Sequence, residues 1–142
     1  MKTVKQILEV KGNNVYTIEP ATFVVDAVKE MAAKKVGALV VLDNSKVKGI
    51  ITEQDFTRRV ILKDLDASNI KVEDIMTKRI ACIQPDQTTS EGMAIMTDKC
   101  VRHLPVMDND ELIGLISIGD LVKEVISEQE FIISQLEHYI HS

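Results

Sequence analysis

Gly49-Ile50-Ile51-Thr52-Glu53-Gln54-Asp55 decides how this chain is read, because its form returns as Gly114-Leu115-Ile116-Ser117-Ile118-Gly119-Asp120. In each copy a glycine is followed by two aliphatics, a hydroxyl residue, two spacers and an aspartate. The aliphatics suit a buried strand. The hydroxyl, with an aspartate three residues on, suits the start of a helix. Such a corner gathers a hydroxyl, a carboxylate and free backbone N–H groups, chemistry that suits a diol lying beside a phosphate.

One corner alone reads as a capped strand-to-helix turn. Working outward, both corners prove to belong to a longer repeat: shifting Val15–Arg58 by 65 positions lays it on Ile80–Lys123 without a gap. Twelve of the 44 aligned pairs are identical: Ile18/Ile83, Pro20/Pro85, Met31/Met96, Lys34/Lys99, Val36/Val101, Leu39/Leu104, Val41/Val106, Asp43/Asp108, Asn44/Asn109, Gly49/Gly114, Ile51/Ile116 and Asp55/Asp120. Two copies are too few for a solenoid and enough for a pseudo-twofold pair.

Each copy predicts strand–helix–strand–strand–helix. In the first, Val15–Ile18 is a strand, Thr22 caps a helix through Met31 and Ala32, and Gly37 ends it. Ala38–Leu42 and Val47–Thr52 form a hairpin around Asp43-Asn44-Ser45, and a helix runs from Glu53 to Leu62. In the second, Ala81–Ile83 is a strand, Thr89–Lys99 a helix, His103–Met107 and Glu111–Ser117 a hairpin, and Ile118 opens the last helix. Val4–Leu8 and Val72–Thr77 are short helical lead-ins at an offset of 68, and Gly12-Asn13-Asn14 absorbs the three extra residues. The result is an α/β layered fold with boundaries at 4–66 and 72–127. The last helix departs from the repeat. Val122, Val125, Gln129, Ile132, Leu136 and Tyr139 continue at helical spacing into a 128–142 extension. That extension either folds back or, as favoured here, meets a partner subunit.

A chain of 142 residues with 45% hydrophobic content fits one compact domain built from two half-domains. A net charge of −5 and the absence of Trp argue against nucleic-acid binding. No apolar run reaches transmembrane length and Met1–Gln6 lacks a signal-peptide core, so a cytoplasmic, membrane-free protein is expected. Cys82 and Cys100 sit among apolar neighbours and are expected as small buried hydrophobes, with redox or metal roles as the alternative. No Ser/His/Asp or Cys/His arrangement, HExxH, P-loop or GxGxxG is present, and two of three histidines (His138, His141) lie in the tail. A catalytic role is not expected.

The gapless repeat, the two corners and the Val101-Arg102-His103-Leu104-Pro105-Val106 strand together resemble a tandem cystathionine β-synthase (CBS) domain pair, a stand-alone Bateman module. The resemblance covers Val4 to Ser127. It implies a regulatory protein that binds AMP, ADP, ATP, NAD(H) or S-adenosylmethionine in a cleft between the repeats and needs no cofactor. It also implies a homodimer acting in trans on an unknown effector protein. By the same resemblance Asp55 and Asp120 match the aspartates that hold ribose hydroxyls, and Thr52 and Ser117 the hydroxyls near the ribose and first phosphate. Thr17 and Pro20, with Ile83 and Pro85, match the segment lining adenine. Ala38 and Leu39, with Leu104 and Pro105, match the strand starts. Arg102 and His103 match the phosphate-facing basic pair of the γ subunit of the AMP-activated kinase.

The departures from the family pattern predict unequal sites. Gly37-Ala38 stands in the first repeat where Arg102-His103 stands in the second, Cys82 replaces Thr17, and Gln54 sits where relatives carry arginine. Arg58, Arg59, Lys78 and Arg79 are candidate phosphate donors; Arg58 and Arg59 read equally as a solvated helix face. A degenerate structural dimerisation module is the competing reading, against which the two intact corners stand.

Overall fold

Both hairpins form where the repeat predicts them. In the computed structural model, which describes residues 1–141, β2 (Ala38–Asp43) pairs antiparallel with β3 (Lys46–Thr52), and β4 (His103–Asp108) with β5 (Glu111–Ser117). Each turn has positive φ at its two central residues, Asn44 and Ser45 in one and Asn109 and Asp110 in the other. That is what a type I′ turn requires, and Asn and Asp tolerate it. The register shifts at matching places, between Val41 and Leu42 and between Val106 and Met107.

The chain divides into two compact units, 14–80 and 1–13 with 81–142. The first holds β1 (Thr17–Ile18), parallel to β2, then α2 (Val24–Lys34), the β2–β3 hairpin, α3 (Glu53–Phe56) and α4 (Val72–Ile75). The second holds α1 (Val4–Lys11), α5 (Thr89–Lys99), the β4–β5 hairpin and α6 (Ile118–His141). Met31/Met96, Leu39/Leu104, Val41/Val106 and Ile51/Ile116, identical across the repeat, are buried in both units. At about 1.5–3 kcal/mol per buried aliphatic side chain, these matched positions are what the duplicated sequence preserves.

Each lead-in helix packs in the unit that holds the other repeat's hairpin. α1 precedes the first repeat, yet its Val4, Ile7 and Leu8 join the core containing Leu104 and Ile116. α4 precedes the second, yet Val72, Ile75 and Met76 join the core containing Leu39 and Ile51. The glycines at equivalent repeat positions, Gly49 and Gly114, are where the lead-ins come close. A Cβ on Gly49 would lie 2.7 Å from Met76 Sδ and 2.8 Å from the Thr77 carbonyl oxygen, and one on Gly114 would lie 2.7 Å from Leu8 Cδ1. Thr77 cannot withdraw easily, because it exchanges backbone bonds of 2.9 and 3.0 Å with Ile50.

The structure corrects several expectations. The Ala81–Ile83 strand shrinks to a single parallel bridge between Ile83 and Val106. In the other unit the Val40 N–H donates to Tyr16 O at 3.2 Å, whereas the position aligned with Val40 is Pro105, which has no N–H. Phe23 rather than Thr22 takes the N-cap position of α2, and Lys35, in the left-handed region at φ 57°, ends it before Gly37. The Glu53–Leu62 helix is α3 followed by a π turn at Thr57–Ile61, where the Leu62 N–H reaches back to Thr57 O. α1 is longer than one turn, held by a Thr3/Gln6 capping box.

The cysteines are exposed rather than buried. Cys100 caps α5 at φ 55°, which turns it out of the helix, and Cys82 falls in the segment that fails to become a strand. Atoms crowd the Cys82 sulfur enough that burial still pushes its thiol pKa up. α6 has 24 residues and so reaches about 36 Å. Its first turns bury Leu121, while Phe131, Ile132, Ile133, Leu136, Tyr139 and Ile140 are exposed, so the extension does not fold back. Among the described residues no helix is long and apolar enough to cross a membrane.

Gly49→Ala is expected to lower the melting temperature more than Gly114→Ala, since backbone obstructs the first and a leucine side chain the second. Overpacking of this kind costs about 1–3 kcal/mol, and equal shifts in a melting curve would contradict the close-approach role.

Candidate functional site

The two corners are built by the same local logic. A helix begins with backbone N–H groups that lack acceptors, and a hydroxyl at the N-cap supplies one. The Asp55 N–H donates to Thr52 Oγ1 at 3.1 Å, and the Thr52 N–H donates to Asp55 Oδ2 at 3.0 Å. Likewise the Asp120 N–H donates to Ser117 Oγ at 3.2 Å, and the Ser117 N–H donates to Asp120 Oδ2 at 2.8 Å. The strand end is fixed too: the Glu53 N–H donates to Gly37 O and the Ile118 N–H to Arg102 O.

Beyond this box the corners diverge. At Asp55 the second oxygen, Oδ1, accepts from Thr77 Oγ1 at 3.2 Å and lies 3.8 Å from Arg59 Nε. Thr52 Oγ1 also donates to Oδ2 at 3.1 Å. Arg59 itself donates through one guanidinium nitrogen to the carbonyls of Ile75 and Met76, so it does not stand on a merely solvated face. Asp55 is therefore bonded through both oxygens, and its side chain is 12% exposed. At Asp120 the two bonds to the carboxylate both fall on Oδ2, one from the Ser117 N–H and one from the Lys11 ammonium, which also donates to Leu115 O at 2.6 Å. Asp120 Oδ1 has no hydrogen-bond partner among the described residues, and the side chain is 22% exposed.

Strand register brings the second corner's residues together. His103 is paired with Ser117 across β4–β5, and Arg102, exposed, holds the α6 N-terminus through its carbonyl. Burial drives the His103 pKa below the usual imidazole value, with Lys11 and then Arg102 pushing the same way and Asp120 opposing. For Asp120, burial pushes upward. The hydrogen bonds from Lys11 and Ser117 and the ammonium charge outweigh it, leaving the carboxyl below its usual range.

The other expected site residues fall into two groups. Leu39, Ile83 and Leu104 belong to the cores, and Ala38 and Pro105 are buried in their strands, so the side chains of these five are taken up in packing. Ala38 pairs with Thr52, and Pro105 accepts from the Ile83 N–H. Thr17, Arg58 and Lys78 are exposed in the 14–80 unit, and Pro20 there is half-buried, its carbonyl taken by the Glu73 N–H. Pro85 accepts from the Lys5 N–H and borders a groove of about 730 Å³ formed with α1. That groove is lined by none of Arg102, His103, Ser117 and Asp120, so it lies apart from the polar chemistry of the corner.

Sequence reasoning missed Lys11 altogether and did not pair Thr77 with Asp55. Both come from the lead-ins, which the 65-residue alignment omits. The signal was present in the 68-residue offset that sets Leu8 against Met76, the two residues found over Gly114 and Gly49.

An imidazole with a lower pKa folded than unfolded binds fewer protons in the native state, so stability falls as pH drops below about 6.5. His103→Gln should flatten the decline in melting temperature between about pH 7.5 and about pH 5. A decline parallel to wild type would contradict the burial of a neutral His103.

Comparison with known proteins agrees with this architecture. The CBS domain family matches residues 4–62 and 72–127. The CBS domain-containing protein CBSX3, mitochondrial, of Arabidopsis thaliana is 38% identical over 122 residues, covering 82% of this chain. The chain spans 59% of that relative's length and only about a quarter of several others. A candidate signal-transduction protein with CBS domains from Burkholderia ambifaria MC40-6 superposes with a TM-score of 0.87 at 48% identity, over 90% of this chain and 96% of that one. The CBS domain pair of protein MJ0100, solved with 5′-methylthioadenosine and S-adenosyl-L-methionine, shares the fold at a TM-score of 0.80 and 20% identity, over 90% and 98% of the two chains. With both repeats matched and both corners in place, this chain belongs to the CBS-domain family.

Proposed function

We propose that this chain is a regulatory module that binds an adenosine-containing ligand (AMP, ADP, ATP or NAD(H)) and acts in trans on a partner protein. The Ser117/Asp120 corner is its stronger site. The observation that carries this reading is the uncommitted Asp120 Oδ1, set at the start of α6 beside Arg102 and His103. A carboxylate oxygen can accept from a ribose diol, and the positive end of a 24-residue helix favours a neighbouring anion. The Thr52/Asp55 corner has less to offer, because its carboxylate is already bonded through both oxygens.

Two measurements check this. Ligand at 100-fold over Kd should stabilise the fold by about 2.7 kcal/mol, so a thermal-shift series with AMP, ATP, NADH and S-adenosylmethionine should raise the melting temperature with at least one of them. No shift at millimolar concentration would leave the structural-module reading in its place. In calorimetry Asp120→Ala should weaken binding about 10- to 100-fold, the loss of one charge-assisted hydrogen bond. Asp55→Ala should instead act mainly on stability, by about 1–3 kcal/mol, because it strands the partners of a buried carboxylate. Equal loss of affinity from both substitutions would contradict the inequality of the corners.

A homodimer is part of the same reading. The α6 face carrying Phe131, Ile132, Leu136, Tyr139 and Ile140 is more contiguous apolar surface than a monomer ordinarily leaves in water. A second copy about a twofold axis would cover it. Sedimentation over a concentration series should show a salt-insensitive dimer that loosens when the chain is cut after Ser127. A full-length chain that stays monomeric at tens of micromolar, or a truncation with unchanged dimer affinity, would contradict this.

A further inference from the structure

Lys11 lies outside the repeat and reaches the Asp120 corner through two hydrogen bonds. It is the last residue of α1, three positions after Leu8, whose side chain fills the space over Gly114. The chain then turns away at Gly12, whose N–H caps Leu8 O at 2.7 Å and whose φ of 99° suits glycine. The α1 register therefore aims Lys11 at the corner, where its ammonium bonds Asp120 Oδ2 and Leu115 O. An ammonium has three donors, so one is uncommitted here.

The charges around this point do not cancel. Lys11 and Arg102 are cations and Asp120 is one anion, while burial, Lys11 and Arg102 push the half-buried His103 imidazole towards its neutral form. Arg102 adds a positive charge that reaches His103, beyond the Lys11–Asp120 pair that holds the open carboxylate oxygen. At the Asp55 corner Arg59 lies 3.8 Å from Asp55, and one of its guanidinium nitrogens also donates to two backbone carbonyls.

We infer that Lys11 is the specificity-determining residue of the Asp120 corner: its ammonium selects an adenosine with an anionic 5′-phosphate over uncharged adenosine and over a cationic sulfonium. In the free protein Lys11 neutralises Asp120. When a ribose diol takes the open face of that carboxylate, the spare ammonium donor meets the phosphate. A sulfonium at the same place would meet like charge, which is a rejection rather than a weaker attraction. The inference rests on the adenosine reading above and adds the ligand's charge to it.

The test is calorimetry with AMP, adenosine and S-adenosylmethionine on the wild-type chain, Lys11→Met and Lys11→Arg, with melting curves to establish folding. Met keeps the aliphatic stem while removing the charge, and Arg restores the charge. Wild type is expected to prefer AMP at least about 10-fold over the other two. Lys11→Met should lose most of that preference by weakening AMP alone, and Lys11→Arg should recover it. If Lys11→Met weakens all three ligands alike, or keeps the AMP preference, Lys11 only orders Asp120 and the inference is overturned while the adenosine reading survives. If wild type binds none of the three at millimolar concentration, the adenosine reading falls and takes this inference with it.

Discussion

The reciprocal bond between a helix's capping hydroxyl and the carboxylate three residues later is the constraint on which the rest depends. It fixes the angle at which each hairpin turns into its helix, because both partners must reach back to backbone N–H groups that have no other acceptor. It also commits one oxygen of each aspartate to structure. What remains for a ligand is the second oxygen, and its fate is decided by side chains outside the box. In one unit Thr77 and Arg59 take it, and in the other Lys11 adds to the oxygen already in use and leaves the second one open.

The lead-in helices supply that difference. Each comes within van der Waals limits of a hairpin glycine, so neither hairpin could carry a larger residue there without displacing its lead-in. With the helix seated by Leu8 or by Met76, the residues just beyond it are delivered to the corner: Lys11 in one unit, Thr77 in the other. A substitution that shifted α1 by one residue would bring Lys11 off the corner while leaving the hairpin intact. Geometry shared by the two units thus delivers unlike lead-in groups to the corners, an ammonium in one and a hydroxyl in the other.

Much of this was legible in the sequence, and the exceptions have physical causes. Hairpins, turns and the α5 helix followed from local pattern, since the turns are built on Asn44-Ser45 and Asn109-Asp110 and the cores on matched aliphatics. The second copy's first strand failed because Pro105 removes a donor, a loss visible only once Pro105 is set against Val40 and Tyr16. The cysteines were misjudged because apolar neighbours in sequence do not fix a side chain's direction when the backbone is left-handed, as at Cys100, or lies outside a named strand, as at Cys82. At the site, the motif residues were found and their unequal availability was not. That inequality depends on Lys11, Thr77 and Arg59, which reach the corners through tertiary packing rather than through the repeat.

An amide NMR titration of the full chain with AMP addresses the central claim most directly, since it reports on both corners in one experiment. The account predicts that resonances of Arg102, His103, Ser117 and Asp120 move together at the lowest ligand concentrations, with Lys11 among them, while Thr52 and Asp55 respond later or not at all. Movement of Thr52 and Asp55 first, or of both corners in parallel, would contradict it.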